Sequence, residues 1–213
     1  MYQPEQPVFR IVTSAGEAEE HLRVIRQAME RSTRHSTFSG LSGIAVGLLA
    51  LAGCLLTNLI LRSAPDPLWR YLFFGLWTAV LGSALVADYL LTKRRARQVG
   101  KGVRSPYARH LIRAAAPGFL AALAITIFYV LNPSFIGPYI YGFWMLCYAA
   151  SVLAVAQYSV REVSILGWAF MAAGMVTLLL PPTLGIGPRA VMALTFGGFH
   201  IVYGVWMGYK YGW

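Results

Sequence analysis

Two side chains in this sequence combine a reactive type with an unusual place: Asp88 and His200 each stand inside a long apolar stretch. An ionisable group within a bilayer is costly, so it usually faces the bundle interior, finds a partner and marks a relay or binding site. A carboxylate and an imidazole at one depth are the parts of a proton relay or a ligand-orienting pair. Asp88 lies five residues before Lys93, and His200 eight residues before Gly208. Because successive crossings alternate in direction, spans two and six both run inward, so both residues reach the same half of the membrane, with Tyr203 beside His200 and with Arg161 and Glu162 at the mouth. The plainer reading of the same residues has Asp88 snorkelling to the interface or pairing with the basic run after it. His200 then bonds a carbonyl or a tyrosine hydroxyl.

Other chemistry leaves no trace. There is no Walker loop, HExxH, GxSxG, recognisably spaced Ser/His/Asp order or aspartate-rich diphosphate motif. Cys54 and Cys147 stand apart, outside any CxxC and without a partner at metal-ligand spacing, and read as buried free thiols. One intramembrane histidine is too few for a bis-histidine haem site unless His35 or His110 swings in from the cytoplasmic side. The expectation is therefore no metal, no cofactor and no enzymatic activity.

The elements that must position these residues follow from hydropathy. The 213 residues are 57% hydrophobic and only 12% charged, with a mean hydropathy of +0.57. The apolar residues come in blocks about as long as a bilayer is thick, the signature of membrane-spanning helices. Six blocks are read: 41–61, 72–91, 114–131, 139–157, 165–180 and 191–208, the fifth being the shortest. The fold class is all-α, a polytopic membrane helix bundle of about six transmembrane helices. An N-terminal segment, 1–38, precedes a transmembrane domain, 39–213. The first forty residues are polar and lack a signal-peptide core, so the first span acts as the insertion signal.

Charge sets the expected orientation. The net charge is +10, and its placement is uneven. With the N-terminus inside, the inner segments hold Arg10, Arg23, Arg26, Arg31, Arg34, the eight basic residues from Lys93 to Arg113, Arg161 and Lys210. The outer loops keep only Arg62, Arg70 and Arg189. This split satisfies the positive-inside rule and predicts both termini in the cytoplasm. Aromatic rings at Trp69, Tyr71, Phe128, Tyr129, Tyr139, Tyr141, Tyr209, Tyr211 and Trp213 fall near the block ends, where amphipathic rings prefer to sit. Lys93, Arg94, Arg95, Arg97, Lys101 and Arg104 form a basic loop without acidic residues or interleaved stacking aromatics, which points to anionic lipid headgroups rather than nucleic acid.

The segment 16–35 reads as an amphipathic cytoplasmic helix. Ser14 and Glu17 form a capping box, and Arg31, Arg34 and His35 suit the C-terminal end. Ala18, Leu22, Ile25 and Met29 make a narrow apolar seam, flanked by Glu19/Arg23 and Glu30/Arg34 pairs. The seam lies on the membrane surface or the bundle, or meets a second subunit or a cytoplasmic partner. Gly40, Gly43 and Gly47 in the first span and Gly204 and Gly208 in the last repeat at spacings that let helices approach closely. Packing within the bundle is the plain reading of these glycines, homodimerisation the alternative. Pro117-Gly118 can kink span three.

Several stretches carry a likeness across nearly the whole chain: MERSTRHSTFSGLSGIAVGL, TKRRARQVGKGV, AQYSVREVSILGW and FGGFHIVYGVWMGYKY. Together they resemble a family of uncharacterised small bacterial six-span integral membrane proteins with an amphipathic N-terminal helix. The resemblance implies the bundle and a bacterial cytoplasmic (inner) membrane, and it places Arg161, Gly167, His200, Tyr203 and Gly204 in the matching segments. It implies no activity. The leading expectation is a non-enzymatic interaction, scaffold or regulatory membrane protein, a homo-oligomer or one bound to a cytoplasmic partner. The alternative is a small transporter or proton-coupled permease using Asp88 and His200.

Overall fold

The computed structural model describes residues 16, 19–24, 39–63, 65, 68–98, 106–179 and 187–213. They form helices and no strand. In order these are α1 (Gly40–Ser63), α2 (Leu68–Gln98), α3 (Pro106–Leu131), the short α4 (Pro133–Ile136), a 3-10 turn (Gly137–Tyr139), α5 (Ile140–Ala156) and α6 (Arg161–Leu179). The last span is divided into α7 (Pro188–Met192), a π-helical segment (Ala193–Phe199) and α8 (His200–Tyr211).

Five stretches are long and apolar enough to cross a membrane: Gly40–Ile60, Leu68–Gln98, Arg109–Leu131, Arg161–Leu179 and Arg189–Tyr211. The chain is an all-α, multi-pass membrane protein. The expectation that the fifth block is the shortest needs correcting. Its helix starts early, at Arg161, and runs 19 residues, whereas α5 has 17. At about 1.5 Å per residue, α5 alone spans about 26 Å, against the roughly 30 Å of a hydrocarbon core. The cause is local: Pro133 and Pro138 have no N–H to continue a helix, so 133–139 folds as a separate turn of α4 and a 3-10 turn before α5 can begin. By contrast α2 outruns its apolar block and carries the helix through Lys93–Arg97, because Lys, Arg and Gln are good helix formers.

The helices pack in two groups. α1 lies between α2 and the π/α8 half of the last span, and α5 lies between α3 and α6. α2 buries only Phe73, Trp77 and Ala96 of its 31 residues, and Leu72, Leu81, Leu85, Val86 and Leu90 are exposed. Lipid tails solvate such a face as well as leucine would, so it needs no protein cover in a bilayer. Phe73 and Trp77 meet Tyr141 and Trp144 with ring centroids 5.4–6.3 Å apart, and the Trp144 Nε1–H donates to Thr126 Oγ1 at 2.8 Å.

The chain divides into two units, Met1–His35 and Ser36–Trp213. In the first, residues 16 and 19–24 are helical. Arg23 pairs with Glu20, donating at 2.7 and 2.8 Å, rather than with Glu19 as the i, i+4 spacing suggests; spacings of three and four both bring helix side chains together. That guanidinium holds the Glu20 carboxyl below its ordinary range. Leu22 is exposed. Ala18, Ile25 and Met29 lie outside the described residues, as do Lys101, Arg104 and the Glu30/Arg34 pair.

Candidate functional site

Pro188 opens α7 where a missing N–H costs nothing. Beyond it the wider π turn carries Gly197 and Gly198 and ends at His200, which is 4% exposed. Single π turns within α-helices are frequent at functional positions. The His200 Nδ1 lies 2.9 Å from the Phe196 carbonyl, which can only accept, so Nδ1–H is the donor. Nε2 is left as a lone-pair acceptor, and the Tyr148 hydroxyl donates to it at 2.6 Å. Neither ring nitrogen is free. Tyr148, Phe170 and Phe196 close around it with ring centroids 4.7–5.3 Å apart, and Phe170 is fully buried.

Asp88 on α2 is half-buried and hydrogen-bonds the Ser42 side chain of α1. Ser42 Oγ also donates to the Ser39 carbonyl at 2.9 Å. A hydroxyl has one proton, so a neutral Asp88 completes a chain Asp88 to Ser42 to Ser39, whereas a carboxylate competes with that carbonyl. Asp88 interacts electrostatically with Tyr148 and Tyr203. No ion pair joins Asp88 to His200; the ion pairs among the described residues are Arg23–Glu20 and Lys210–Glu162.

Glu162, in the first turn of α6, is buried. It accepts from Lys210 and, at 3.1 Å, from the Tyr211 hydroxyl, which fastens α6 to the end of α8. Its neighbour Arg161 is exposed.

The five glycines face one another within this chain. A Cβ on Gly43 would stand 2.7 Å from Gly204 Cα and 3.1 Å from the His200 carbonyl oxygen; one on Gly40 would stand 2.5 Å from Gly208 Cα. A Cβ on Gly47 would stand 2.6 Å from the Ile201 side chain and 2.7 Å from the Gly197 carbonyl oxygen. Backbone touches backbone, which only glycine permits.

The basic end of α2 is partly engaged. Arg95 donates to the Trp213 carbonyl at 3.0 Å and to the Tyr211 carbonyl, a guanidinium capping the negative end of a helix. Gly212 makes this possible: at φ 93° and ψ 161° it occupies a region essentially reserved for glycine. Through that turn Trp213 folds back over Gly208 and against Tyr209, with ring centroids 5.7 Å apart. Lys93 sits over the Tyr89 ring at 5.5 Å; Arg94 and Arg97 are exposed.

Tyr148 and the Arg95 cap went unnoticed in the sequence. Tyr148 is one tyrosine among many, and neither pairing has a local pattern. Among the described residues no group of three or more His, Cys, Asp or Glu side chains could hold a metal ion, and both cysteines are free thiols. Fold and polar centre together define an integral membrane helix bundle whose intramembrane polar side chains bond chiefly to backbone carbonyls within the chain. No family model, curated protein or solved structure matches the chain.

Proposed function

We propose that this chain is a non-enzymatic interaction protein of the bacterial cytoplasmic membrane, with both termini in the cytoplasm. The bundle is the anchor, and the N-terminal helix is the surface that meets a partner or further copies. One observation carries the reading: His200, the side chain best suited to chemistry, has both ring nitrogens engaged by Tyr148 and Phe196. A relay residue needs a nitrogen that can change partners. Glu162 is likewise taken by Lys210 and Tyr211. The orientation rests on the uneven distribution of Lys and Arg.

The test is in-membrane crosslinking of the full chain with Leu22, Ile25 and Met29 each changed to aspartate. Association is lost while insertion is unchanged; undiminished crosslinking overturns the reading.

A second reading, a proton-coupled permease, is favoured by Asp88, whose hydrogen bond to Ser42 leads toward Ser39 at the end of the bundle that carries Arg95. It requires pH-dependent uptake that Asp88→Asn abolishes. Uptake indifferent to that change removes it.

A further inference from the structure

Where α2 leaves the apolar region, its last turns approach the start of α1 and the end of α8 around a cavity of about 210 Å³. Its polar lining is Ser39, Arg94, Arg95 and Gln98. Its apolar lining is Leu41, Leu91 and the indole of Trp213. At this volume it is smaller than the roughly 300–1,000 Å³ of pockets that enclose a whole small-molecule ligand. A single charged group fits it better.

The sign of that group follows from the sequence. No Asp or Glu occurs between Asp88 and Glu162, between Glu30 and Asp66, or after Glu162. Glu162 is held by Lys210 and Tyr211, and Asp88 by Ser42. Two guanidiniums therefore share one cavity with no Asp or Glu side chain lining it. Arg95 is already fixed in place by the Tyr211 and Trp213 carbonyls, while Arg94 is exposed and forms no ion pair among the described residues. The positive end of the α1 dipole lies beside Ser39. The remaining walls suit hydrocarbon: Leu41 is exposed and sits at the start of a membrane-crossing helix.

We propose that this cavity seats the phosphate of one anionic phospholipid per chain, bound by Arg94 and Arg95, with an acyl chain lying along Leu41 and Leu91. A ligand with an anionic head and an apolar tail matches both linings at once; free phosphate matches only one. The site is confined to one face of α2, because residues 91, 94, 95 and 98 share a helical face and Arg97 does not. This assignment rests on the membrane-spanning bundle and not on the association reading, so loss of one leaves the other standing.

The experiment is native mass spectrometry of the full chain in detergent after delipidation. Phosphatidylglycerol, phosphatidylcholine and inorganic phosphate are added back in separate samples. One phosphatidylglycerol per chain is retained in preference to phosphatidylcholine, and Arg94→Gln weakens its retention about fivefold, the value of one basic residue near an anionic headgroup. Arg97→Gln leaves it unchanged. Equal retention of the two lipids overturns the proposal, as does an Arg94→Gln protein that binds like wild type. Equal weakening by Arg97→Gln also overturns it, because the attraction is then diffuse. Inorganic phosphate that displaces the lipid overturns the lipid as ligand.

Discussion

The contact of α1 with the last span and the contact of α5 with α6 and His200 hold one bundle by opposite means. The first is built on small residues: Gly40 and Gly43 meet Gly208 and Gly204 through backbone atoms, and Gly47 and Gly197 make room for the side chains of Ile201 and Leu51. The second is built from the largest side chains available, with Phe170 wholly buried among Tyr148, Phe196, Phe199 and His200. Lipid tails are as apolar as leucine, so burying apolar area gives little drive for helices to associate. What remains is dispersion at close range and hydrogen bonding. Removing side chains maximises the first by bringing backbones together. Interlocking rings around a bonded imidazole combines both.

The two regions should therefore fail in opposite directions. Phe170→Ala removes a fully enclosed ring, and the loss is about 3–5 kcal/mol if the surrounding helices cannot collapse. Equilibrium unfolding in mixed micelles measures it. Gly43→Ala does the reverse and adds one carbon, 2.7 Å from Gly204 Cα; backbone cannot swing aside as a side chain tip can, so the loss is near the upper end of the roughly 1–3 kcal/mol usual for overpacking. Gly82→Ala is the internal control: a Cβ there meets nothing within 4 Å, and the same assay should register no loss. If Gly43→Ala is as silent as Gly82→Ala, the seam is looser than its geometry and the comparison collapses.

The two regions were also unequally legible. The glycines announced themselves, because small residues at spacings of three and four inside an apolar block have few other uses. The spans were visible for a similar reason, since block length against bilayer thickness is a local property. Hydropathy reports where a chain is apolar, not where it is helical, which is why α2 ran past 91 to Gln98. The block 139–157 and the helix α5 (Ile140–Ala156) agree to within one residue at each end, with Pro138 marking where the helix can begin. The aromatic centre was the least legible. Tyr148 and His200 are 52 residues apart, and Arg95 and Tyr211 are 116 apart. Pairs so distant are fixed by the packing of whole helices, and no periodicity in the sequence encodes them.

The finest test separates rings from hydrogen bonds within the aromatic centre. Tyr148→Phe keeps the ring against Phe170 and Phe196 and deletes only the hydroxyl that donates to His200 Nε2. Side-chain hydrogen bonds between membrane helices average about 0.6 kcal/mol, so the expected loss is of that order and well below the Phe170→Ala effect. A double-mutant cycle with His200→Gln isolates the pair. A coupling of several kcal/mol would mean that the imidazole, not the rings, organises α5 against the last span. A small coupling, together with an unfolding free energy of His200→Gln alone equal to that of wild type, would leave His200 energetically dispensable to the fold. In that case, any loss of partner crosslinking or of uptake in His200→Gln would report on function directly, because the bundle would still be intact.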